Sequence, residues 1–181
     1  MNLVWLISTS SRQLKKTNQL ISCYIYSREM TMKTTTILNE LIEINNDRIE
    51  GFQKVALDIK DENIDLKAIF QEYSTQSRKF SQELVALVAG LGEDVETGNT
   101  IAGTLHRAWI DVKSLFGGDD RLSILNEAER GEDAIKAAYQ MALQKGELGG
   151  EALSTVSRQA EEIKSAHDTI KALRDAAKLT S

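Results

Sequence analysis

Five stretches of the chain space their apolar residues three and four apart, the interval that lines one face of an α-helix. In the first the seam runs Leu38, Leu41, Asn45, Arg48, Phe52, Val55, Ile59, and in the fourth Leu125, Ala128, Glu132, Ile135, Tyr139, Ala142. Each of these two seams is interrupted at its middle by a charge, and the two charges are opposite. The second stretch carries Leu66, Phe70, Tyr73, Ser77, Phe80, Leu84, Leu87 and Leu91, and the third Ile101, Leu105, Ala108, Val112 and Leu115. A fifth seam runs Leu153, Val156, Ala160, Ile163, His167, Ile170. The pattern predicts an all-α fold in which each helix buries one stripe against the others.

Glycines and capping residues set the expected ends. The first helix is expected from about Thr36 to Ile59, with Asp61 or Asn63 able to cap the second, which runs to the break at Gly90, Leu91 and Gly92. The third is expected from Asn99 to Gly117. Asp119 or Asp120 then caps the fourth, which stops by Gly146, and the fifth spans Glu151 to Lys178. The bundle domain therefore covers 34–178, with four helices in 36–145 and an additional C-terminal helix in 151–178.

The first 31 residues lack this sustained period. They hold short apolar patches, Leu3 to Ile7 and Ile21 to Tyr26, and the charges Arg12, Lys15 and Lys16 come after the first of them, whereas a secretory signal puts its charges before its apolar region. They read as a non-core segment, with Met30 or Met32 as an alternative start.

Composition narrows the class further. The chain has 181 residues, no proline and 6% aromatic residues, which disfavours a loop-rich or β-sandwich fold and suits one domain. A net charge of −5 provides no broad basic field for nucleic acid. No apolar run approaches the ~18 residues of a membrane span. The single cysteine, Cys23, fits a reducing, cytoplasmic setting.

Counting from the expected helix ends brings the polar seam residues to one height. Arg48 lies eleven residues before Ile59, Tyr73 eleven after Glu62, His106 eleven before Gly117, and Glu132 twelve after Asp120. At ~1.5 Å per residue the offsets amount to one or two ångströms. A mid-bundle layer is expected, in which the Arg48 fork meets the Glu132 carboxylate and the Tyr73 hydroxyl, Asn45 and Gln76 complete the hydrogen bonds. Such a pair fixes helix register; the alternative is a carboxylate held for metal or proton chemistry.

Metal chemistry has little support in the residue types. A di-iron bundle uses a Glu from each of two helices and a Glu-x-x-His from each of the other two. Here Gly103 stands three before His106 and Lys164 three before His167. No cofactor and no catalytic residue is assigned. The alternative is a mononuclear iron or manganese site at the edge of the layer, using Glu83, His106, Glu129 and Glu132. His167 is expected to pack the fifth helix onto the bundle or onto a second chain.

Leu38 to Glu43, Asn46 to Phe52, Gly103 to Trp109, Glu127 to Asp133 and the tail Ala166 to Asp175 resemble an uncharacterised bacterial family of ferritin-like four-helix bundles, a domain of unknown function. The resemblance covers about Thr34 to Lys178. It implies a ferritin-like bundle in a cytoplasmic bacterial protein and contributes no catalytic residue. A ferritin-type crossover must run the length of the bundle, whereas Gly90 to Gly98 stretches only about 30 Å, so a plain up-down bundle stays open. The functional expectation is a non-enzymatic interaction or stress-associated protein, self-associating or meeting a partner through its fifth helix. The alternative is a metal-binding ferritin-like oxidoreductase.

Overall fold

A computed structural model of the chain describes residues 3–59, 61–95 and 120–180, without the side chains of residues 3–15, 58 and 61. The described residues form four α-helices and a short 3-10 turn, with no strand among them. Helix α1 spans Leu3–Asp58, α2 Ile64–Gly90, α3 Arg121–Gln144 and α4 Gly150–Thr180; the turn Asp61–Asn63 joins α1 to α2. The helix expected over Asn99 to Gly117, with His106, lies outside the described residues.

The helix ends follow local chemistry. Asp120 caps α3, its carboxylate accepting from the Ser123 amide at 3.0 Å and the Ser123 hydroxyl at 2.6 Å. That satisfies a backbone donor that the first turn leaves without a partner. After Lys145 the chain turns at Gly146, whose φ of +66° a side chain would strain. Asn63 precedes α2 but makes no side-chain cap; its Oδ1 accepts from Arg121 instead, at 3.3 Å.

One helix end and one packing role differ from the sequence expectation. Helix α1 begins at Leu3, not near Thr36, so the segment that lacks the seam is still helical. Residues 16–29 are exposed along it, and burial begins in earnest at Thr34. The helix expected fifth, here α4, completes a closed ring: α1 packs on α2, α2 on α4, α4 on α3, and α3 on α1. Its stripe of Val156, Ile163, Ala166 and Ile170 is buried in that ring.

Side-chain pairs fix the directions. Phe52 stacks on Phe70 and Ser81 meets Asn46, so α1 and α2 are antiparallel. Thr34 bonds to the Glu147 carbonyl while Arg48 meets Glu132, so α1 and α3 are antiparallel too. Helices α2 and α3 therefore run the same way, and the Arg121–Asp65 pair at 2.6 Å puts their starts at the same end. The chain leaving Gly90 must return the full length of the bundle, about 40 Å for the 27 residues of α2, before α3 begins. That return is what a ferritin-type crossover accomplishes, joining two parallel helices of one ring.

The core has two parts. One cluster holds Ile37, Leu41, Phe80, Leu84, Ile135, Tyr139, Val156 and Ile163, and the other Phe52, Val55, Leu66, Phe70, Leu125, Ala128, Ala166 and Ile170. Between them fall buried polar side chains of three helices, Asn45 and Arg48 of α1, Ser74 and Ser77 of α2 and Glu132 of α3.

Candidate functional site

Arg48 projects from the middle of the seam of α1 into the centre of the ring, where it is fully buried together with Glu132 of α3. The two make a fork, Arg48 Nε donating to Glu132 Oε1 at 2.6 Å and Nη2 to Oε2 at 3.0 Å. Nη1 donates to Ser77 Oγ at 2.8 Å, to Gln76 Oε1 at 3.0 Å and, at 3.4 Å, to the Tyr73 carbonyl, all on α2. The guanidinium carbon also sits 5.2 Å from the centre of the Phe52 ring and 5.3 Å from that of Tyr73. A charge taken out of water needs this completeness of pairing. The layer is the boundary between the two apolar clusters.

The expected layer residues divide between two networks. Arg48 and Glu132 meet from their seam positions, and Gln76, beside the seam of α2, joins them. Tyr73 contributes its ring face and carbonyl, while its hydroxyl turns to Thr169 of α4. Ser77, which the sequence placed in an apolar seam, is a direct partner of Arg48. Asn45, one turn before Arg48, joins a second network. Its Nδ2 donates to the Leu41 carbonyl at 2.7 Å and to the Tyr139 hydroxyl oxygen at 2.8 Å, and Tyr139 donates to Gln159 Oε1 at 2.7 Å. Gln159 Nε2 then donates to Glu83 Oε2 at 2.8 Å. The carboxylate accepts only, so it orients every link of the chain back to Asn45. Asn45 Oδ1 consequently has no hydrogen-bond partner.

Electrostatics keep that orientation. Burial pushes the Tyr139 hydroxyl well above its ordinary value, so it stays protonated and donating. Burial also pushes Glu83 up, but the Gln159 amide and the Arg158 guanidinium outweigh it and leave the carboxyl below its ordinary value. Glu83 is thus ionised where the chain of donors needs an acceptor.

The carboxylates considered as metal ligands do not converge. Glu83 pairs with Arg158, Glu129 with Arg174 at 2.7 Å, and Glu132 with Arg48; His106 lies outside the described residues. A different set does come together. Glu129 and Asp133, one turn apart on α3, face His167 of α4 with one potential ligand atom from each within 4.8 Å of the others. His167 is buried, its Nδ1 3.0 Å from Asp168 Oδ1 and its Nε2 3.0 Å from Asp133 Oδ1. The Lys164 ammonium and His167 hold the Asp168 carboxyl down to about 2. The sequence expectation gave His167 a packing role and assigned none to Asp133. The available signal was the four-residue spacing of Glu129 and Asp133, which carries weight only once the facing helix is known.

No helix among the described residues is long and apolar enough to cross a membrane. No curated protein matches the chain significantly in sequence. In structure the chain is similar to a solved point mutant of Dps1 from Mycobacterium smegmatis, with a TM-score of 0.67 over 81% of this chain and 97% of that one, at 13% identity. That likeness is one of fold, and it makes the bundle ferritin-like. The family described as Domain of unknown function (DUF2383) matches residues 33–145, more than half of the chain and the stretch that carries both Arg48 and Glu132, and the protein belongs to that family.

Proposed function

We propose that this protein is a non-enzymatic ferritin-like bundle of the bacterial cytoplasm, an interaction or stress-associated protein whose central position is given to an ion pair. The observation that carries the reading is the burial of the Arg48 guanidinium at mid-bundle with all its partners in place. A di-iron centre needs four carboxylates and two histidines projecting inward there. Among the described residues the layer has one carboxylate, Glu132, and it is bound in a fork to Arg48. The described residues of the layer do not fit a metal pair, because a permanent cation occupies the space between the helices.

Self-association or a protein partner is part of this proposal. Helix α4 commits its apolar stripe to the ring, leaving Leu153 and Leu179 exposed, so a partner would meet its outer face.

Aerobic addition of iron(II) to protein purified without chelator tests the reading. The expected result is no ferroxidase turnover and no iron whose retention depends on Glu132. Two equivalents of iron per chain that disappear in Glu132→Ala would replace this proposal with the metal-binding oxidoreductase.

A further inference from the structure

We propose that the flank of the bundle between α3 and α4 binds one divalent first-row transition-metal ion through Glu129, Asp133 and His167. His167 Nε2, Asp133 Oδ1 and the Lys136 ammonium form a triangle with sides of 3.0, 3.2 and 2.8 Å. The ammonium can only donate, so at 2.8 Å it meets the Nε2 lone pair, and that lone pair and the Asp133 oxygen, which would otherwise repel, are held together by the positive charge beside them. Lys136 provides that charge, donating to both, and so marks the place of a cation.

The spacing suits a metal. Two ligand atoms each about 2.1 Å from an ion and at right angles lie roughly 3 Å apart, the separation found between His167 Nε2 and Asp133 Oδ1. Glu129 supplies the third donor from the next turn of α3. The histidine is set for the role. Both ring nitrogens lie 3.0 Å from a carboxylate, but only Nε2 also meets the Lys136 ammonium, which can donate and not accept, so Nε2 presents its lone pair and the ring proton sits on Nδ1, facing Asp168. A carboxylate behind the imidazole in this way orients histidine ligands in metal sites. One imidazole with two carboxylates favours manganese, iron(II), cobalt, nickel or zinc over calcium or magnesium.

Entry of an ion requires that Lys136 leave both Asp133 and His167 and that Arg174 leave Glu129. Both basic side chains are about one-quarter exposed, at 26% and 24%, and can extend into water. The Lys136–Asp133 pair, more than half exposed on the carboxylate side, contributes little to stability.

Zinc is the probe, with binding to the full-length chain measured by calorimetry and the bound metal by elemental analysis. One equivalent is expected. Asp168→Asn should weaken binding by about 10–100-fold, and Asp133→Asn, at a position more than half exposed and safe for folding, should weaken it at least as much. Lys136→Met should tighten it by removing the internal competitor. Absence of stoichiometric uptake, or uptake indifferent to both Asp133→Asn and His167→Gln, overturns the proposal. Dependence on His167 and independence of Glu132 separates this site from any metal at the bundle centre.

Discussion

Asn45 and Arg48 stand one turn apart on the same seam, yet they serve different networks, and the reason is reach. The arginine stem carries its fork across the ring to Glu132 of α3 and back to Ser77 of α2, whereas the short amide of Asn45 stops at Leu41 and Tyr139. Seam position alone made Arg48 and Glu132 legible, because opposite charges at equal height on inward faces have few other resolutions. It did not reveal that Tyr139 and Gln159 extend the polar band, since a tyrosine in a seam reads equally well as an apolar residue and Gln159 lies beside its seam. Tyr139→Phe tests the second network. Removing the hydroxyl leaves Gln159 Oε1 and one Asn45 proton buried without partners, and should cost about 1–3 kcal/mol in urea unfolding. An unchanged midpoint and slope would show that the chain from Glu83 to Asn45 does not form.

Among the elements, α2 and α3 end close to where glycine and capping chemistry put them, because those signals act within a turn. The start of α1 was not legible. Its first 31 residues lack a continuous apolar stripe, but a helix can extend beyond its neighbours on backbone hydrogen bonding alone, and residues 16–29 do so while exposed. Tyr26 and Met30 line a solvent-open cavity against Leu87 and Leu148, which is the extension's modest contact with the ring. The buried stripe proper starts at Thr34. A chain beginning at Met32 should therefore keep the melting temperature of the full chain to within a few degrees. A larger fall would mean that the extension packs. The role of α4 as a wall of the ring was also hidden, since its seam looks the same whether it faces three neighbours or one partner.

At the scale of the whole molecule, the crossover between parallel helices and the polar band together explain how a ferritin-like ring is used here. Each apolar cluster is sealed from the other by Arg48, Glu132, Ser77 and their neighbours. Helix register is consequently tied to one geometry, because sliding α3 by a turn would separate the fork and bury two unpaired charges. The same band claims the centre of the ring, the position on which the functional proposal turns. A double-mutant cycle on Arg48 and Glu132, read by urea unfolding, tests this most directly. Arg48→Met or Glu132→Leu alone should each cost about 3–5 kcal/mol, while the double variant should lose far less than their sum. Additive losses would contradict the account, showing that the two side chains do not form the pair around which the bundle is organised.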